Sequence, residues 1–338
     1  MYRLVCVGLL MGALLPRFSM AKDQVVNVYS FRQAELINPI IEQFTQETGI
    51  KVNVVSGKAD VLLQRLIKDG EDSFADVLLT SDVARLEGAK TLNLLQPIPS
   101  NNILENVPKQ LRDPDGHWVG LSVRARAIFY SKERVAIDAI TSYQDLTDPQ
   151  WQGKICARQG GHFYNRSLVA SFIYNYGKAW SENWIKMFVK NLAMRPHGGD
   201  RDQIRKVSNG QCDLAIANSY YYGMLSASKK PADRRAYANV GIIFPRDNAF
   251  GTHINISGVA ITQAAKNKKN ATQFIEFLTT KRVQALYAKL NYEYPIRQGV
   301  NPNGLLSSWG ALSGDADAVL HLTKYHQLAN EMISKSHW

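Results

Sequence analysis

Tyr220, Tyr221 and Tyr222 follow directly on the run Cys212-Asp213-Leu214-Ala215-Ile216-Ala217-Asn218-Ser219. Leu214, Ile216 and their neighbours read as a short buried strand. The phenols therefore emerge where a strand gives way to a turn or helix, the end of a strand at which open α/β sheets bind ligands. Adjacent side chains on a strand point to opposite faces, so two neighbouring phenols meet only if the backbone turns between them. Converging phenolates are hard, anionic oxygen donors and suit a hard cation such as Fe(III). Aromatic packing, or a stacking platform for a sugar, is the alternative use of the same triplet.

Other chemistry is sparse. His117, His162, His197 and His253 are dispersed, with no pair at ligand spacing, and His162 stands out only for lying two residues before Tyr164. No Ser-His-Asp order, paired-carboxylate segment or glycine-rich phosphate loop stands out, so the sequence does not support an enzyme. Cys156 and Cys212 each border a short apolar strand and could be joined in one disulfide, the alternative being two separate buried thiols. No Cys-x-x-Cys spacing suggests zinc or redox work.

Stepping outward, Arg3, the apolar stretch Leu4 to Leu15, then Arg17 and Ser19-Met20-Ala21 have the layout of a secretory signal peptide, with cleavage expected after Ala21. The apolar stretch falls short of the ~20 residues that span a bilayer. Losing Arg3 and Arg17 takes the formal charge from +11 to +9. The remaining lysines and arginines are scattered, and Lys266-Asn267-Lys268-Lys269 and Lys229-Lys230 read as solvated turns, not a nucleic-acid surface. The 338-residue chain fits two domains or one large α/β unit.

From Val25 the pattern alternates strand and helix: a Val25/Val28 strand, a helix with Ile37, Ile40, Ile41 and Phe44 stopped by Gly49, a strand from Ile50 to Val55, a helix capped by Asp60, and a strand at Val77–Leu79. This βαβαβ order implies parallel strands with right-handed crossovers. Past Arg124 the pattern restarts, with a strand at Ala127–Tyr130, another at Cys156, an amphipathic helix from Leu168 and the tyrosine strand. A strand from Ile254 to Ile261 is expected to return to the first lobe, leaving two crossing segments as a hinge.

The segments Val28-Tyr29-Ser30, Gly57-Lys58-Ala59-Asp60, Ala75-Asp76-Val77-Leu78-Leu79-Thr80, Arg124-Ala125-Arg126, Tyr164-Asn165-Arg166-Ser167-Leu168, Asn218-Ser219-Tyr220-Tyr221 and Gly251-Thr252-His253-Ile254-Asn255 resemble the periplasmic ferric-iron-binding proteins of bacterial ABC transporters, in the tyrosine-rich branch that includes cyanobacterial iron-uptake proteins. The resemblance covers nearly all of the chain after the signal, and its specific element is the paired tyrosine after Asn-Ser. It implies an α/β, type II two-lobe periplasmic-binding-protein fold, each lobe a mixed sheet flanked by helices. Lobe 1 is expected at 22–123 plus 248–300, and lobe 2 at 124–247 plus 301–338. It implies a monomer that captures Fe(III) between its lobes and delivers it to an inner-membrane ABC permease, with Tyr164, Tyr220 and Tyr221 as metal ligands and Tyr222 either as packing or as a support behind the ligands.

This chain departs from the family's pattern in the first lobe, where Gln33-Ala34 replaces a His or His-Tyr, and Ser81 followed by Asp82 replaces a Glu. Three phenolates neutralise Fe(III) and leave half of an octahedral shell open. A bidentate anion such as carbonate would fill two positions and leave a negative complex, which calls for a fixed cation. Arg124 is the first candidate, Arg32 the second, with Asn218 and the turn Gly160-Gly161-His162 as added hydrogen-bond donors. Capture of an oxyanion or organic anion without metal is the competing function.

Overall fold

The computed structural model describes residues 24–31, 34–246, 250–302 and 304–338, and the side chains of 34–36 are left aside. The expected signal segment, Arg32 and Gln33 lie outside the described residues.

The described residues form ten strands: β1 (Val25–Ser30), β2 (Lys51–Ser56), β3 (Val77–Thr80), β4 (Leu95–Gln96), β5 (Trp118–Ser131), β6 (Ile155–Cys156), β7 (Leu214–Asn218), β8 (Val240–Ile243), β9 (Ile254–Thr262) and β10 (Tyr294–Pro295). Their pairing runs β2-β1-β3-β9-β5-β7-β6, with β4 added on β9 and β8 and β10 on β5. β1 pairs in parallel with β2 and β3, with Val28 opposite Val54 and Val77. β9 then runs antiparallel to β3, and β5 antiparallel to β9. Helices cover both faces, which is why β3, β5 and β9 are buried along their whole length.

The βαβαβ start follows from its local signals. The helix Ala34–Thr48 places Ile37, Ile40 and Phe44 in the core, and it ends where Gly49 takes φ +73°. The helix Ala59–Asp69 corrects one expectation: its cap position is Lys58, and Asp60 lies inside the first turn without a capping hydrogen bond. Its charge there still complements the positive end of the helix.

The larger correction concerns β5. The sequence suggests a break near Arg124 and a fresh strand at Ala127–Tyr130, whereas one strand of 14 residues runs through. Trp118–Ala125 pairs with β9, Arg126–Tyr130 with β7, and Ile128–Ser131 with β8 on the opposite side. Polar Ser122, Arg124 and Arg126 interrupt the hydrophobic pattern, and the register shifts between Gly120 and Ser122. A Cβ on Gly120 would meet the Leu111 carbonyl at 2.7 Å, so the shift needs glycine.

β6 and β7 pair in parallel and bring Cys156 and Cys212 together in a disulfide with a Cα–Cα distance of 5.8 Å, within the usual range for a bridge. Among the described residues no helix is long and apolar enough to cross a membrane.

The bridge closes a sequence separation of 56 residues. Replacing both cysteines with alanine is expected to lower unfolding stability by up to about 4 kcal/mol, read as a drop in urea midpoint at constant m-value. An unchanged midpoint would show that the closed loop contributes nothing to stability.

Candidate metal centre

The turn that carries the tyrosines is tied down by β5. Ser219 donates its N–H to the Ala125 carbonyl at 2.9 Å and accepts the Ala125 N–H on its hydroxyl at 3.2 Å. β7 ends at Asn218 and a short helix, Tyr220–Ser226, begins at once. The expected change from strand to helix is therefore where the tyrosines sit. The rings of Tyr220 and Tyr221 lie 4.2 Å apart, centroid to centroid. Tyr222 points away and is buried, and its hydroxyl donates to the Val240 and Tyr237 carbonyls at 2.5 and 3.0 Å, which is a packing role.

Tyr164 arrives from the first turn of the helix Phe163–Tyr176, where His162 Nδ1 accepts the Tyr164 N–H at 3.3 Å. Its hydroxyl lies 2.7 Å from that of Tyr220, and the Tyr221 phenol is near enough to both for them to shift its proton affinity. Three phenol oxygens from two helices thus converge on one point. Burial pushes the Tyr220 phenol well above its ordinary value, with the neighbouring phenols adding to the shift and Arg124 opposing it. Burial also raises Tyr221, helped by Tyr164 and Asp200. Both are neutral phenols near pH 7, and a cation placed between them would favour their ionised form.

Beneath the cluster lies a charged network that the sequence reading missed. Arg126 donates to Asp200 Oδ2 at 2.5 Å, to Asn165 Oδ1 at 2.6 Å and to Asn218 Oδ1 at 3.1 Å. Arg158 donates to Asp200 Oδ1 at 2.9 Å, and the Asn218 N–H to Asp200 Oδ2 at 2.7 Å. Both guanidinium carbons lie over the Tyr164 ring, at 5.7 Å for Arg126 and 5.2 Å for Arg158. Arg126 was findable, because residues two apart on a strand share a face and it therefore accompanies Arg124. Asn165 lies next to Tyr164 in the chain, whereas Asp200 and Arg158 come from distant stretches with no local signal.

Arg124 is buried and donates to the Ser257 hydroxyl at 2.8 Å and the Ile256 carbonyl at 3.2 Å. With Arg126, Tyr164, Ser167, Asn218, His253 and Asn255 it lines a cavity of about 10 Å³, room for roughly one water. Of the first-lobe alternatives, Asp82 caps the helix Val83–Thr91, accepting the Ala84 N–H at 2.9 Å and the Asn255 side-chain amide at 3.0 Å. Tyr29 is buried in the core and Asp60 is exposed. His253 Nε2 meets the Ser167 hydroxyl at 3.0 Å, and burial, then the nearby Arg126, lowers its pKa to about 3. His162 falls to about 3 for the same first reason, with Arg158 next. Another grouping of acidic and imidazole side chains, Asp113, Asp115 and His117, is tied to Lys90, which donates to the two aspartates at 2.6 and 2.7 Å.

Comparison with known proteins gives a consistent set of likenesses. Residues 72–309 match the family model described as bacterial extracellular solute-binding protein. The chain is 42% identical over 317 residues to iron uptake protein A1 of Synechocystis, covering 94% of this chain and 88% of that one. A ferric iron-binding protein A of Mannheimia haemolytica, solved in an open conformation, superposes with a TM-score of 0.87 at 40% identity, covering 92% of this chain and 98% of that one. A Trichodesmium protein solved with iron and citrate ligands superposes with a TM-score of 0.89 at 38% identity, covering 93% and 99%.

Two outcomes follow from the charges. Asp200→Asn leaves Arg126 buried without its carboxylate and is expected to cost about 3–5 kcal/mol, whereas Asp115→Asn at the exposed Lys90 pair should change stability by less than about 1 kcal/mol. Equal urea midpoints for the two variants would overturn the network's structural weight. His253 takes up a proton more readily unfolded, at about 6.5, than folded, at about 3. Its contribution is therefore intact above pH 6.5 and lost as pH falls toward 3, by at most about 1.4 kcal/mol per pH unit. His253→Gln should flatten that part of the stability–pH curve, and an unaltered slope would assign the acid sensitivity to other groups.

Proposed function

The chain belongs to the family of bacterial extracellular solute-binding proteins, and on that premise we propose that it captures ferric iron between two lobes and hands it to an ABC permease. The observation that carries this reading is the 2.7 Å contact between the Tyr164 and Tyr220 hydroxyls, with the Tyr221 ring 4.2 Å from that of Tyr220. Three oxygens at one point, each able to become an anionic donor, match the charge of Fe(III) and the hard character of that ion. Relatives of this chain include an iron uptake protein, a ferric iron-binding protein and a protein solved with iron. Nothing in the site is arranged as a nucleophile with its base, so a binding role is favoured over catalysis.

The rest of the proposal assigns roles. Tyr164, Tyr220 and Tyr221 are the ligands. Carbonate, or another small oxyanion, occupies part of the remaining shell, with Arg124, Arg32 and Asn218 as its candidate holders. Arg124 already lowers the Tyr220 pKa, which supports placing its charge beside the metal. The lobes divide at 22–123 plus 248–300 and 124–247 plus 301–338, so that the crossing strands β5 and β9 form the hinge. The protein acts as an exported monomer after cleavage near Ala21. Capture of an oxyanion without metal is less well supported, because Arg126 and Arg158 are already paired with the Asp200 carboxylate.

Phenolate bound to Fe(III) absorbs in the visible, so loading with ferric iron is expected to colour the protein. Tyr220→Phe and Tyr221→Phe should each remove or greatly weaken the band while the apo protein keeps its fold, and Tyr222→Phe should leave it intact. A colourless loaded wild type would overturn the iron reading, and a damaging Tyr222→Phe with a silent Tyr220→Phe would move the ligand pair by one residue. Because Tyr220 and Tyr221 hold their protons tightly, binding should release at least about two protons per iron, and affinity should fall steeply as pH falls. Proton release measured in weakly buffered solution checks this, and none released would mean that the phenols do not ligate as phenolates.

A further inference from the structure

Arg85 sits on the helix Val83–Thr91, which packs against β9 and β3 on the first-lobe side. Its guanidinium carbon lies 4.6 Å from the centre of the Phe163 ring and 5.9 Å from that of Phe31. Phe31 follows β1, whereas Phe163 opens the helix that delivers Tyr164, and the Phe163 and Tyr164 rings are 4.3 Å apart. One first-lobe cation therefore reaches across to the second lobe and ends one ring away from the phenol cluster.

The four arginines around the site differ in what they hold. Arg126 and Arg158 share Asp200, and Arg124 donates to Ser257 and Ile256. Arg85 has no carboxylate within ion-pair distance and no side-chain hydrogen bond among the described residues. An aromatic ring against the face of a guanidinium fixes its plane and leaves the N–H edges open, the edges that pair with a planar oxyanion. Arg166, three residues beyond Phe163 and so on the same side of that helix, has a buried Nε without a partner. Positive charge with unused donors is thus concentrated beside Phe163, where the first lobe supplies neither the His nor the Glu of its relatives.

We propose that Arg85 is the first-lobe anchor for the oxyanion that accompanies iron, holding a carboxylate-type group from the opposite side of the cleft to the phenols. This rests on the iron reading above. The shared chemistry is a planar oxyanion, whether carbonate on the metal or a carboxylate of a larger chelating anion. The anchor also explains how a first lobe without protein ligands can sense that the site is filled: it would close on the anion, not on the metal.

The test is an iron titration of the mature protein followed by the visible band, with ferric iron added from an acid stock to carbonate-free buffer, to buffer with bicarbonate, and to buffer with citrate. Arg85→Ala is expected to lose about tenfold or more in apparent iron affinity where its anion is present, with the saturated band and the apo melting temperature unchanged. Arg85→Lys should recover part of the loss. A deficit with citrate alone identifies a carboxylate of a larger anion, and a deficit with bicarbonate identifies the small one. Equal affinity of variant and wild type in all three buffers would overturn the proposal. So would an equal loss in all three, because Arg85 would then only bolt the lobes together. A wild type without a band fails at the earlier step and removes the iron reading itself.

Discussion

A phenol that is half-buried among other phenols cannot easily carry a charge, and that constraint governs the rest of the site. Burial raises Tyr220 and Tyr221 together, and each would repel the other and Tyr164 if ionised. The cluster is therefore a neutral set, with Tyr164 and Tyr220 hydrogen-bonded to each other. In the proposed ferric complex the balance would be reversed, because a trivalent charge screens three phenolates from one another.

The surrounding charges are arranged to bias that balance without collapsing it. Arg126 and Arg158 lie over the Tyr164 ring but share a single buried carboxylate, so the pair presents a net positive potential to the site from a rigid frame. Arg124, on the same face of β5 as Arg126, adds to it. The frame is held by backbone as well as side chains: Asp200 accepts the Asn218 N–H, and Ser219 binds both backbone groups of Ala125. The tyrosine turn, the arginine strand and the aspartate helix are thereby fixed to one another before any ligand arrives.

Much of this was legible in the chain because it depended on local periodicity. The Leu214–Ala217 alternation followed by tyrosines located the end of a strand, the two cysteines flanked strands that proved to be neighbours, and of the two roles open to Tyr222 the fold gives it packing. What escaped the reading were features set by distant contacts. Asp200 and Arg158 look like any polar residues until the fold brings them under Tyr164. The first half of β5 was hidden for a different reason: its buried serine and arginines, and its glycine bulge, break the apolar alternation that marks a strand. Asp60 looked like a cap because acidic residues so often are, yet the helix starts two residues too early for it.

β5 has a consequence for the modularity of the protein. Its residues Trp118–Ala125 complete one set of strands and Arg126–Ser131 another, and the exchange of partners occurs at a single peptide bond. The two sets therefore own one strand jointly. Whichever fragment is given β5 in a dissection, the other loses a central strand and presents an unpaired apolar edge to water. The two sets cannot be inherited, shuffled or recombined as separate parts. A gene fusion or split-protein design built on this fold has to carry both ends of that strand within one polypeptide, and any variation in the metal site must arise in place.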